Sequence, residues 1–174
     1  MVEEGHGRQD TGAPAAGELA GQVLELMASR GDTLAVAESL TGGLVCAALT
    51  DIPGASVVVR GGVVAYATDL KAALLGVPRP LLDRHGTVHP DVAVAMAEGV
   101  RQRLGAGFSV ATTGVAGPDP QDGQPVGTVH VAVASEGDTV VRTVALPGDR
   151  AAVRARTVVT ALGLLLGRLR EEMA

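Results

Sequence analysis

The stretches TLAVAES (33–39), GFSVATT (107–113) and TVHVAVAS (128–135) carry apolar residues in succession, and none alternates strictly between apolar and polar residues. A strand with one face in water shows that alternation, whereas a strand covered on both faces reads as a near-continuous apolar run. These segments therefore belong to a sheet buried between two layers. VVVRGGVVAYA (57–67) and DTVVRTVAL (138–146) supply two more strands, the first broken by Gly61–Gly62 as at a bulge or a close backbone contact. Helical patterns separate the strands. ELAGQVLELMASR (18–30) places Leu19, Val23, Leu24 and Met27 on one face and stops at Gly31. Further helices are predicted over 41–51, from a Thr68 or Asp69 cap to Leu75, over 80–86, from Pro90 to about Leu104, and from an Asp149 cap to Met173. Helices and strands alternate at first, and a hairpin around EGD (136–138) follows. The expected fold is α/β, a three-layer α/β/α sandwich with a mixed parallel and antiparallel sheet. It forms one domain over residues 18–174, behind a polar, Gly/Pro-bearing tail over 1–17.

Only Tyr66 and Phe108 are aromatic, so Val, Leu and Ala must fill the core. The net charge of −5 argues against nucleic acid or an anionic membrane as partner. Cys46 is the only cysteine; it supplies neither an intrachain disulfide nor a CxxC zinc pair and reads as a small buried residue. His6, His85, His89 and His130 lack metal-ligand spacing, so neither a metal nor another cofactor is expected. There is no basic-then-apolar signal pattern and no apolar run of 18 residues, which predicts a cytoplasmic protein.

Ligands of open α/β sheets bind outside the carboxyl ends of the strands. AESLTGG (37–43), AYATDLK (65–71) and ATTGVAGP (111–118) all have the form of a strand end followed by a turn. The second holds the only lysine of the chain, Lys71, against thirteen arginines. A solvated charge is served equally well by arginine, but only lysine can lose its proton near neutral pH. Lys71 falls in the first turn of its helix, where the macrodipole disfavours a cation, and burial would lower its pKa further. A general base at neutral pH needs a fall of roughly 3 units from about 10.4; a solvated lysine is the competing reading.

Ser39 is the leading nucleophile candidate, at a strand end before a glycine-rich helix start, with Ser56 of PGASVV as the second and more plausibly a turn residue. Either serine, like Thr41, also suits a turn or a cap. Tyr66 is a packing residue, a hydroxyl donor or a partner that orients Lys71. The backbone amides of Thr113 and Gly114 are candidate oxyanion donors. Arg150 and Arg154 lie four apart at the start of the last helix, so they share a face that suits a phosphate, or else are solvated. With no catalytic histidine in evidence, a hydrolase built on these residues would use lysine as the base.

The motifs AESLTGG, LTDIPGAS, GGVVAYATDLKAALLGV, HGTV, TTGVAGPDP with PVGTV, and LPGDR, in this order, resemble the C-terminal domain of the CinA family over about residues 18–172. Members act as nicotinamide-nucleotide amidases. The resemblance implies hydrolysis of the carboxamide of nicotinamide mononucleotide to nicotinate mononucleotide and ammonia, in NAD recycling. It implies a Ser/Lys dyad on Ser39 and Lys71 with Tyr66 and Thr113 in support. Glu38, Thr41, Gly42, Gly43, Gly114 and Arg150 are the expected substrate contacts, and a homodimer or higher homo-oligomer is the expected assembly. The sequence departs from the family pattern at Ala67–Thr68, where Ser-Asn is usual, and at His89, where Ser is common. Many members carry a further N-terminal domain resembling molybdopterin-binding proteins; any activity belonging to it is expected to be missing here. Two other functions remain open at this level: a non-catalytic nucleotide-binding protein of the same fold, and a Ser-Lys amidohydrolase acting on another small amide.

Overall fold

The computed structural model describes residues 15–173 and contains a five-stranded sheet in the order β2-β1-β3-β4-β5. The strands are β1 (Leu34–Glu38), β2 (Val59–Val64), β3 (Phe108–Gly114), β4 (Thr128–Ser135) and β5 (Asp138–Ala145). β1 runs parallel to both β2 and β3, while β4 and β5 add antiparallel to β3 as a hairpin. The helices are α1 (Ala16–Arg30), α2 (Leu44–Thr50), α3 (Thr68–Leu75), α4 (Arg79–His85), α5 (Pro90–Leu104) and α6 (Arg150–Glu171). The expected mixed-sheet α/β fold is the observed one.

Helices cover both faces of the sheet, and the two faces differ in side-chain size. Leu34, Val36, Phe108, Val110, Val129, Val131 and Val133 point into a core with α1, α2 and α6. The alternate positions Ala35, Ala37, Ala111, Ala132 and Ala134 face α5. The period-2 pattern of a strand is thus present, written in volume rather than polarity. Small residues let α5 lie close to the sheet, where the Ser109 hydroxyl donates to the Ala97 carbonyl at 2.6 Å. They also let α5 approach α3: a Cβ built on Gly99 would lie 1.8 Å from the carbonyl oxygen of Leu75, the last residue of α3.

Several boundaries differ from expectation for local reasons. The predicted tail lies outside the described residues up to residue 14, and α1 begins at Ala16, two residues before Glu18, without a side-chain cap. β2 is shorter than 57–67, because Ala55–Val57 form a 3-10 turn and the chain leaves the sheet after Val64. The expected irregularity near Gly61–Gly62 is a register shift that leaves Arg60 without a partner in β1. α3 is capped by Ala67 with no side-chain hydrogen bond, so neither Thr68 nor Asp69 serves as its cap. Asp149 does cap α6, accepting from the Ala152 amide at 2.9 Å.

Gly99→Ala should force α3 and α5 apart. We expect a loss of about 1–3 kcal/mol, read as a lower urea midpoint at unchanged slope.

Candidate active site

The three parallel strands end on one edge, and their carboxyl ends deliver Ser39, Tyr66 and Gly114 to a common cleft. Its lining includes Leu40, Thr87, Ala116, Asp119, Gln121 and Arg150.

The turn carrying Ser39 is held from below by Glu38. This carboxylate is only 1% exposed. Its Oε2 accepts from the Gly43 amide at 2.9 Å and the Val45 amide at 3.1 Å, and its Oε1 accepts from the Cys46 amide at 2.8 Å. The first amides of a helix have no acceptor within the helix, and a negative charge suits that end. Glu38 therefore caps α2 from the preceding strand, a role that places it beneath the cleft rather than on the substrate side. The polypeptide then turns through Gly42 (φ 58°) and Gly43 (φ 101°), left-handed conformations that residues with a Cβ resist. Thr41 is fully buried and shares a 2.8 Å hydrogen bond with the Thr112 hydroxyl, so it braces the turn instead of reaching the cleft.

Lys71 is 1% exposed, although it lies within a turn of the start of α3. Its Nζ donates to Ser39 Oγ at 3.1 Å, to the Ala65 carbonyl at 2.8 Å and to the Tyr66 carbonyl at 3.2 Å. Burial drives its pKa down from the ordinary 10.5 to about 8, against an opposing pull from the Asp122 carboxylate. Holding the amine in this state costs about 3 kcal/mol relative to a solvated lysine. Ser56, the rival serine, is exposed in the turn before β2 and is not among the partners of Lys71.

Tyr66 contributes its backbone carbonyl to Lys71, while its exposed hydroxyl accepts from Arg150 Nη2 at 2.8 Å. Arg150 Nη1 donates to the Gly117 carbonyl at 2.7 Å, so one guanidinium ties both rims of the cleft together. The Thr113 hydroxyl donates to the Thr87 carbonyl at 2.7 Å. Hydrogen bonding alternates along an antiparallel pair. The Val115 amide donates to the Thr128 carbonyl, so the Thr113 amide also faces β4 while that of Gly114 faces β1 and the residue following it, Ser39. Of these two amides, that of Gly114 is the one not turned toward β4.

The wall formed by Thr87, Asp119, Gln121 and Asp122 went unread as a site in the sequence. Asp122 Oδ2 accepts from the Thr87 amide at 2.6 Å, the Thr87 hydroxyl at 2.9 Å and the Val88 amide at 3.3 Å. Gln121 Nε2 donates to the same hydroxyl at 3.1 Å. Thr87 and Asp122 lie 35 residues apart, and the only sequence signal was the HGTV and GPDP motifs themselves. Arg154, paired with Arg150 on sequence spacing, parts company with it: Nε donates to the Leu40 carbonyl and Nη2 to the Thr41 carbonyl, each at 3.0 Å. His89 caps α5, its Nδ1 accepting from the Asp91 amide at 3.2 Å. Cys46 is half-buried and burial pushes its thiol pKa up. Among the described residues no three His, Cys, Asp or Glu side chains are grouped as a metal site requires, and no helix is long and apolar enough to cross a membrane.

Fold and cleft together define a three-layer α/β protein with a serine and a buried lysine in hydrogen-bond contact at the carboxyl edge of its sheet. The model of the CinA C-terminal domain matches residues 16–169, and the chain belongs to that family. A CinA-like protein from Frankia casuarinae is 56% identical over 147 residues, covering 84% of this chain and 34% of the relative. Another from Gemmatimonas aurantiaca is 50% identical over 160 residues, 90% of this chain and 36% of the relative. The chain thus spans about a third of the length of these curated relatives. Among solved structures, a CinA superfamily protein from Klebsiella pneumoniae superposes with a TM-score of 0.88 at 31% identity, covering 91% of this chain and 99% of that one. The competence/damage inducible protein CihA from Agrobacterium tumefaciens gives 0.85 at 38% identity, over 89% and 95% of the two chains.

Between pH 8 and 10.5 the unfolded chain holds a proton on Lys71 that the folded protein has largely released. Stability contributed by this group therefore rises with pH across that window. The difference in unfolding free energy between the wild type and Lys71→Met, followed by denaturant titration, should shift in favour of the wild type by about 3 kcal/mol from the acid to the alkaline end.

Proposed function

We propose that the protein hydrolyses the carboxamide of nicotinamide mononucleotide, giving nicotinate mononucleotide and ammonia, with Ser39 as nucleophile and Lys71 as its base. The observation that carries this reading is the buried Lys71 amine 3.1 Å from Ser39 Oγ. A neutral amine has two N–H donors and one lone pair. The carbonyls of Ala65 and Tyr66 accept the two hydrogens, which leaves the lone pair to accept from the Ser39 hydroxyl. The chain thus aims the base before any substrate arrives.

As Ser39 Oγ bonds to the amide carbon, its proton passes to Lys71 and the carbonyl becomes an oxyanion facing the Gly114 amide. Collapse breaks the C–N bond, and Lys71 returns the proton to the departing nitrogen, which leaves as ammonia. Water then attacks the acyl-enzyme, giving one proton to Lys71 and releasing the carboxylate and a neutral Ser39. The substrate phosphate has a cation to meet in Arg150. Its guanidinium carries five N–H donors, and the Tyr66 hydroxyl and Gly117 carbonyl occupy one on each terminal nitrogen.

Ammonia release from nicotinamide mononucleotide, free nicotinamide and an unrelated small amide tests the reading. We expect release from the nucleotide, with Ser39→Ala and Lys71→Arg each losing about 10³-fold or more. The wild-type kcat/KM should climb as pH rises through about 8, where Lys71 becomes neutral. Arg150→Ala should raise KM and spare kcat. Release from another amide alone would reassign the substrate, and release from none would leave a nucleotide-binding protein.

A further inference from the structure

Ser39 can act only if the turn that bears it is stiff, because the following residues have almost no regular structure of their own. Between Glu38 and Leu44 the backbone makes two overlapping turns, in which the Gly42 amide donates to the Ser39 carbonyl at 3.1 Å and the Leu44 amide to the Thr41 carbonyl at 3.2 Å. Glu38 secures the far end of this turn by capping α2, and the Ser39 amide is secured by the Thr112 carbonyl at 3.0 Å. Across the middle of the turn, the Arg154 guanidinium on α6 donates to the Leu40 carbonyl and joins the Leu44 amide on the Thr41 carbonyl.

We infer that Arg154 is a positioning residue for the Ser39 nucleophile, locking the Leu40 and Thr41 peptides through a two-point grip from the C-terminal helix; this rests on the reading of Ser39 given above. A planar guanidinium binding two successive carbonyls fixes both the location and the tilt of the peptides between them. A trans peptide is rigid, so holding the Leu40 oxygen also sets the plane of the Thr41 amide. Arg154 lies on the same helix face as Arg150 and one turn further along, yet the two act differently. Arg150 spans the open rims of the cleft, while Arg154 is part-buried under the nucleophile turn, with both contacts on backbone. Gly42 is where the fit is closest: a Cβ there would meet Arg154 Nη2 at 3.4 Å. Arg154 is absent from the cleft lining, so the phosphate reading stays with Arg150.

The test uses the purified full chain, a fluorophosphonate probe that reports the reactivity of Ser39 without the nucleotide, and steady-state ammonia release. Arg154→Ala should be labelled about 10-fold or more slowly and lose kcat to the same degree, with KM close to that of the wild type. Arg154→Lys, which can reach only one carbonyl at a time, should fall between the two at an unchanged thermal midpoint. If Arg154→Ala does not fold, Arg154→Lys decides alone: slowed labelling in a protein of wild-type stability supports the inference. Wild-type labelling rates in either folded variant overturn it, as does a rise in KM without a fall in kcat. An unlabelled wild-type protein would instead sink the assignment of Ser39 itself, a distinguishable result.

Discussion

The structure turns on an amine kept out of water. Lys71 has lost its solvent almost completely and has in exchange two backbone carbonyls and one hydroxyl. Carbonyl dipoles soften the burial of a cation without neutralising it, so the proton is held loosely and the pKa settles near 8. A carboxylate in direct contact would have restored a permanently charged lysine. The nearest acidic influence, Asp122, is instead spent on the Thr87 and Val88 amides. Its charge tempers the effect of burial rather than cancelling it.

That environment is made possible by a division of labour between the two faces of the sheet. Valine and leucine on the α1/α2/α6 side supply most of the buried volume. Alanine on the α5 side trades volume for closeness, and α3 is drawn in with α5 at Gly99. The helix bearing Lys71 is thereby packed near enough to the sheet for its amine to reach the end of β1. Site geometry and core packing are in this sense one design: the small residues of this layer set how deep Lys71 sits.

Much of this was legible in the residues. The five strands and the helical segments follow from apolar runs and Gly/Pro stops; Lys71 stood out by the scarcity of lysine and Ser39 by its strand-end position, and the resemblance to the CinA family paired them. What could not be read was orientation. Glu38 and Thr41 sit in the right motif but point beneath the turn, because unfilled helix amides and a buried threonine on the next strand compete for them. Thr113 and Gly114 are adjacent, yet strand alternation sends their amides to opposite neighbours. Arg150 and Arg154 share a helix face, and only the tertiary fold separates a rim from a floor. The Thr87–Asp122 contact joins two loops whose pairing no local pattern announces.

The reach of α6 has a consequence for how the protein comes into being. The contacts of Arg154 with Leu40 and Thr41 span 114 and 113 positions of the chain, and that of Arg150 with Tyr66 spans 84. A ribosome delivers the serine and the lysine before this helix. Until α6 emerges and docks, the turn that carries Ser39 lacks its Arg154 contacts, so completion of the site waits on a segment made more than a hundred positions later.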